Sequence, residues 1–184
     1  MFSQRGLFHL AHSVHDMQEI TRRAYSNYLN GIDAEILDQE QVRKKIPYMN
    51  VDGRYPVLGA ILQRRAGTAR HDAVAWGYAR AAENLGVDII QNCEVTGIDT
   101  SNGKVSGLQT TKVEVKVKKV GLVPAGHSSV LAGMAGFRLP ISSVPLQALV
   151  SEPVKPILDC VIMSNTVHVY VSQSDKGELV VGAG

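Results

Sequence analysis

A mixed α/β (α+β) fold is what the sequence predicts, on three observations. Apolar residues recur at helical spacing in two stretches, 14–28 and 74–85. A strand, a helix and a further strand follow one another from residue 58 to residue 90, within the length of a βαβ unit. Beyond residue 94 the pattern changes to period-two alternation broken by turn residues, which marks an antiparallel meander.

Residues 2–11 read as a strand, and Ser13 caps a helix whose stripe is Val14, Met17, Ile20, Ala24 and Tyr28. The helix should stop at Asn30-Gly31, because glycine takes the left-handed conformation after a helix without steric cost. A short strand at 34–37 meets Asp38, and Gln41 three residues on completes a capping-box pattern for a brief helix that ends before Pro47. After a loop at 50–56, residues 58–63 read as a strand, and Asp72 is expected to cap a helix over 73–85. Its buried face would be Val74, Tyr78, Ala81, Ala82 and Leu85, with Trp76 and Tyr78 packing rather than stacking on a ligand; Gly86 ends it and residues 87–90 begin the next strand. Strands at 95–98 and 105–109 flank an Asn102-Gly103 turn of type I′ character, and Val113, Val115 and Val117 alternate strictly. Residues 120–124 read as a strand ending in the small residues Ala125-Gly126. Strands at 147–150 and 161–163 precede a hairpin of 167–171 with 178–181 around 174–177.

Composition narrows the function classes. The chain has 184 residues, 19 Lys and Arg against 17 Asp and Glu, and 45% hydrophobic residues, which is ordinary globular composition. Acidic and basic residues interleave, and the densest basic stretch, 112–119, alternates with valines, so no nucleic-acid footprint is present. No apolar run approaches the roughly 20 residues of a membrane span, and no apolar segment of signal-peptide type follows the N-terminus, so a cytoplasmic location is expected. Cys93 and Cys160 have no CxxC companion, which gives neither a disulfide framework nor a zinc site and reads as two reduced core residues.

Generic motifs carry little chemistry. The sequence has no Walker loop, no HExxH and no GxSxG, and His9, His12 and His15 span a strand and a helix rather than one metal-binding element, so no metal is expected. His127 and His168 read as strand-end or surface residues. The final strand feeds Gly182-Ala183-Gly184, but no following helix supplies the N–H groups of a phosphate-binding turn.

Long runs carry a resemblance that these motifs do not. Residues 64–80, RRAGTARHDAVAWGYAR, together with 1–6, MFSQRG, 86–97, GVDIIQNCEVTG, 145–156, PLQALVSEPVKP, and 167–179, VHVYVSQSDKGEL, resemble the β subunits of heterotetrameric sarcosine oxidases, flavoproteins of the D-amino-acid-oxidase superfamily. The resemblance implies an incomplete FAD/NAD(P)-binding Rossmann-like domain with an antiparallel meander, plus part of an antiparallel substrate-domain sheet. It places about 1–70 and 140–184 on the substrate and FMN side and about 71–139 in the centre of the FAD-binding domain. It also implies that the chain is the middle portion of one flavoprotein subunit, with the Gly-rich FAD turn upstream and further flavin contacts downstream.

The activity it implies is oxidative demethylation of sarcosine, an oxidoreductase reaction on a CH–NH donor: hydride goes to FAD, electrons pass to a covalent FMN, and O₂ becomes hydrogen peroxide. Partners implied are α, γ and δ subunits, with tetrahydrofolate on α. The flavin-linking histidine of the family falls on His71, beside Arg70. Bond formation to the flavin needs an unprotonated ring nitrogen, which the positive end of a helix favours, and Arg65 and Arg70 are candidates to neutralise phosphate or reduced flavin. FAD contacts carry over to Val95, Ala125 and Gly126, while catalytic residues are not assigned. Two departures bear on local register: no glycine at the 110–112 turn, and Pro124 before Ala125. The chain by itself is expected to hold neither FAD nor FMN and to self-associate through unpaired strand edges. Another secondary-amine flavin oxidoreductase of the superfamily, or a flavin-less module, remain as alternatives.

Overall fold

The computed structural model describes residues 2–183. Met1, at the start of the matched 1–6 run, and Gly184, on which the Gly-x-Gly reading depends, lie outside the described residues. The chain divides into two compact units, Met1–Gly77 with Leu146–Gly184, and Tyr78–Pro145.

The first unit is built on a seven-stranded sheet of order β3-β4-β2-β10-β11-β12-β9, from Glu35–Asp38 (β3), Gly59–Gln63 (β4), Leu7–Ala11 (β2), Val161–Ser164 (β10), Val169–Gln173 (β11), Glu178–Ala183 (β12) and Gln147–Pro153 (β9). Every neighbour pair is antiparallel except β2 with β10, where Leu7 lies opposite Val161 and Leu10 opposite Ser164. That parallel pair joins segments from the two ends of the chain, which local periodicity does not register.

Why β2 and β4 hold the core follows from the pleat. In β4, Ala60 and Leu62 face one side and join Phe8, Leu10, Leu37, Val42 and Ile46, while Ile61 faces the other and joins Ala11, Ile20 and Ala24. Both faces are covered, so β4 reads as a continuous apolar run rather than an alternating one. The covers are α1 (Val14–Leu29) on one face and α2 (Gln39–Lys45) on the other.

Both helices start and stop as the sequence indicates. The Ser13 hydroxyl accepts the Asp16 N–H at 3.1 Å, and Asp38 and Gln41 form the reciprocal capping box. At the end of α1, Gly31 has φ +70° while Gly31 N–H and Ile32 N–H reach the carbonyls of Tyr28 and Asn27 at 3.0 and 2.9 Å, a Schellman closure. Along α1 only the middle of the predicted stripe, Ile20 and Ala24, is buried; Val14 and Tyr28 are exposed, and the Tyr28 hydroxyl donates instead to the Ala34 carbonyl.

Other expectations are corrected. The single strand over 2–11 is two, β1 (Phe2–Gln4) and β2, broken at Gly6, whose φ is +80°. Residues 87–90 and 120–124 form no strand, so the βαβ unit is not completed among the described residues. Their side chains suit a strand, but a strand also needs neighbouring backbone to pair with, and none of the described strands offers it.

In the second unit a three-stranded meander, Val95–Ser101 (β6), Lys104–Thr110 (β7) and Glu114–Lys116 (β8), is joined by the foreseen Asn102-Gly103 turn, with φ of +51° and +72°. The second turn manages without glycine because the Thr110 hydroxyl accepts from Lys112 and Val113 N–H at 3.2 and 3.0 Å and donates to the Val113 carbonyl.

His9 sits on central strand β2, 5% exposed, with Nδ1 3.0 Å from Arg23 Nη1. Burial lowers its pKa from 6.5, the Arg23 charge adds to this, and Asp16 opposes. A ring kept neutral when folded but free to protonate when unfolded means that the unfolded chain binds more protons at acid pH, so stability falls as pH drops below 6.5. Replacing His9 by glutamine should flatten that acid limb in urea melts recorded from pH 8 to pH 5.

Candidate functional site

β1 pairs antiparallel with β5 (Gly67–Ala69), and the chain leaves β5 directly into helix α3 (His71–Asn84). The Arg70 carbonyl accepts the Val74 N–H at 3.0 Å, so the helix starts two residues before the expected 73 and His71 is in its first turn. Asp72 therefore does not precede the helix as its cap. It lies inside the first turn, where a hydrogen bond from the Ala73 N–H, with the Arg70 charge nearby, holds its carboxyl below the usual range.

The other end of α3 closes as read, with Gly86 at φ +86°. Its expected buried face is not buried: no residue of α3 is, and Val74, Trp76, Tyr78 and Leu85 are all exposed. An amphipathic stripe states which face needs cover, not what covers it.

The first turn of α3 opens on a cleft of about 620 Å³. Arg5, Arg70, His71, Asp175 and Lys176 line it, the last two from the tip of the β11–β12 hairpin. Arg70 lies between two carboxylates, 3.7 Å from Asp72 and 3.8 Å from Asp175, all well exposed. Such pairs are worth at most about 1 kcal/mol and serve to orient rather than stabilise. His71 makes no hydrogen bond to protein among the described residues, which leaves both ring nitrogens available.

A second cavity of about 600 Å³ shares Arg5, Gln173, Ser174 and Asp175 with the cleft. Gln173 builds this partition. Its buried carboxamide accepts from Ile157 and Leu158 N–H at 2.9 and 3.0 Å and donates to the Lys155 and Gly177 carbonyls at 3.1 and 2.9 Å. Its own carbonyl accepts from Arg5 Nη1 at 2.7 Å, which ties β1 to the hairpin.

Arg65 is not at the cleft: it pairs with Asp33 at 3.0 Å and donates to the Gly31 carbonyl at 2.8 Å. In the second unit Val95 opens β6 opposite Thr110 and is half-buried. Ala125 has φ +48° in a 3-10 turn (Ala125–His127) that leads into α4 (Ser128–Met134), and Gly126 beside it is exposed. A Cβ at Gly126 would meet only the Ser143 hydroxyl, at 3.9 Å, so that backbone is open to approach. Arg5, Gln173 and Lys176 were not singled out from the sequence, although each lies in a run that carries the resemblance.

The sequence pattern of the FAD dependent oxidoreductase family matches residues 1–184. The chain belongs to this family. Among curated proteins, the chain is 56% identical to a sarcosine oxidase subunit beta from Rhodobacter capsulatus, over 100% of the chain and 45% of that protein. It is 57% identical to a sarcosine oxidase subunit beta from an Arthrobacter species, over 100% of the chain and 46% of the relative. The chain thus spans a little under half the length of the curated relatives it matches. Among solved structures, the L-proline dehydrogenase of P. horikoshii superposes with a TM-score of 0.84 at 20% identity, over 100% of the chain and 50% of that structure, which shows a shared fold.

Among the described residues no helix of the chain is long and apolar enough to cross a membrane, and no three His, Cys, Asp or Glu side chains are grouped to hold a metal ion. Cys160, buried at the second cavity, has its thiol pushed up to about 11 by burial, with the Asp159 charge adding to it. Cys93 is half-buried rather than in the core. Iodoacetamide at pH 8 should accordingly label Cys93 and leave Cys160 unmodified in native protein, as read by peptide mass mapping.

Proposed function

We propose that this chain is part of a sarcosine oxidase β-type subunit, with His71 as the attachment point of a covalent FMN. Identity of 56–57% across the whole chain with proteins named sarcosine oxidase subunit beta carries this reading. The parent enzyme would act on the CH–NH bond of sarcosine, with FAD taking hydride, α, γ and δ subunits as partners, and tetrahydrofolate on α.

The residues at the cleft fit a flavin mononucleotide. Its volume is in the range of small-molecule sites. His71 presents an exposed imidazole free of protein partners, and Arg5, Arg70 and Lys176 supply donors for a phosphate or for negative charge on the ring. A bound FMN would supply the passage of electrons from FAD to O₂. This chain's own residues do the holding: β5 and the first turn of α3 fix His71, and Asp72 and Asp175 orient Arg70 beside it. In the second unit, Val95 and the open backbone at Ala125 and Gly126 are assigned to FAD.

The test is peptide mass mapping of the full-length subunit coexpressed with its partners. An FMN adduct is expected on the peptide that contains Arg70-His71-Asp72, and His71→Asn should abolish it while FAD content stays near wild type. An adduct that survives the change, or maps to His127 or His168, overturns the assignment.

A further inference from the structure

Two Asn-Gly pairs occur in the chain, Asn30-Gly31 and Asn102-Gly103, and neither has a part in the flavin reading. Taken as dipeptides they share one reactivity: the glycine nitrogen can attack the asparagine Cγ, and no glycine side chain stands in the way. The structure makes the two pairs unequal.

At Asn30-Gly31 both reacting groups are engaged. The Asn30 carboxamide donates to the Ser26 carbonyl at 2.8 Å, and the Gly31 N–H, on the nitrogen that would attack, donates to the Tyr28 carbonyl at 3.0 Å. The Asn30 N–H and the Ile32 N–H both reach the Asn27 carbonyl, at 3.0 and 2.9 Å, so the closure of α1 holds the peptide between the pair from both sides. Swinging that peptide means unwinding the last turn of the helix.

At Asn102-Gly103 neither group is engaged. Both residues are exposed, the Asn102 side chain and the Gly103 N–H have no hydrogen-bond partner among the described residues, and a Cβ on Gly103 would meet nothing within 4 Å. In a two-residue hairpin turn the flanking residues, here Ser101 and Lys104, make the cross-turn pair, which leaves the N–H of the second turn residue to water. The ladder behind the turn is short as well. Thr100 lies opposite Val105 and Ser101 opposite Lys104, but Asp99 lies opposite Gly107, so Ser106 is an extra residue that interrupts the pairing. The tip can therefore open without disturbing the rest of the meander.

We propose that Asn102 is a site of spontaneous deamidation in the folded protein, while Asn30 is protected by the end of α1. The Gly103 nitrogen gives up its proton to water and bonds to Asn102 Cγ, and the side-chain nitrogen leaves as ammonia. Water then opens the resulting cyclic imide at either carbonyl, giving aspartate or isoaspartate; no oxidant or reductant takes part. Both products place a negative charge beside Lys104, and they differ in backbone. Aspartate suits the same turn, whereas isoaspartate runs the chain through the side-chain carbon and adds a backbone atom to a turn built on φ of +51° and +72°. Isoaspartate at 102 accordingly loosens the β6–β7 tip, at the end of β6 away from Val95.

The experiment is to age the native full-length subunit at pH 8 and follow both pairs by peptide mass mapping, with isoaspartate located by fragmentation, beside a sample aged in urea. In native protein Asn102 should convert about ten-fold faster than Asn30, where hydrogen bonds must break before the ring can close. In urea the two should convert at similar rates. Aged wild type should also show faster amide hydrogen exchange at 100–105, and Asn102→Asp, which carries the charge on an ordinary backbone, should not. Equal native rates, a faster Asn30, or a rate gap that persists in urea would overturn the proposal, and unchanged exchange in protein carrying isoaspartate would overturn the loosening of the tip.

Discussion

Replacing Gly67 by alanine is expected to separate β1 from β5 and to remove His71 from its place at the cleft. An alanine Cβ at this position would stand 1.9 Å from the Ser3 carbonyl oxygen and 3.0 Å from the Arg5 backbone nitrogen. Both neighbours are backbone, so no rotamer change relieves the clash and one strand must move. Gly67 is opposite Gln4 in a ladder of three residue pairs among the described residues, and the chain enters α3 four residues later. Such overpacking costs on the order of 3 kcal/mol, and the displacement passes directly to Arg70 and His71. In the full-length protein the Gly67→Ala variant should melt several degrees lower, with the yield of flavin adduct on the His71 peptide falling with it. Gly77→Ala is the matched control: Gly77 lies inside α3 with nothing within 4 Å of its would-be Cβ, so that change should leave the adduct intact and slightly raise stability through helix propensity. Equal behaviour of the two variants would show that strand spacing at Gly67 is not what positions the histidine.

The second large effect is expected at Gln173. A leucine there matches the amide in size but makes none of its hydrogen bonds, leaving Ile157 and Leu158 N–H and the Lys155 carbonyl without their partner, while the Gly177 carbonyl keeps the Val154 N–H at 3.0 Å. Each buried group left unsatisfied costs about 1–3 kcal/mol, partly recovered where water enters, so a loss on the order of 3 kcal/mol is expected for the site. Because the same residue forms the wall between the two cavities, loosening should appear locally as faster amide hydrogen exchange at 154–158 and at the hairpin turn, and as new alkylation of Cys160 at pH 8. Gln173→Glu separates shape from hydrogen bonding: it keeps the acceptor for the two N–H groups but faces the carbonyls with negative charge, and should fall between wild type and leucine only if the accepted bonds dominate.

What was legible beforehand was local. Ser13, Asp38 with Gln41, Gly31, Gly86 and Asn102-Gly103 all mark boundaries that the structure keeps, because caps and tight turns depend on a few consecutive residues and their own backbone angles. The hairpin at 174–177 belongs to the same class, as does the phase of the α1 stripe. His71 stood out by resemblance alone; its placement as the first residue of a helix rather than ahead of one changes which backbone groups surround it.

Tertiary structure decided everything that depends on a distant partner. The parallel pairing of β2 with β10 links residues more than a hundred positions apart, and no period in either segment encodes it. The strand character of 87–90 and 120–124 is present in their side chains yet unrealised, since a strand is a property of a pair of backbones and not of one. The cleft is likewise a product of three separate segments, the start of β1, the β5–α3 junction and the β11–β12 hairpin, which meet only once the sheet has formed. By itself the sequence determined where the chain turns, which faces are apolar and which family it resembles; which faces are covered, and which polar side chains converge on His71, depend on long-range contacts whose chain separation leaves no local trace.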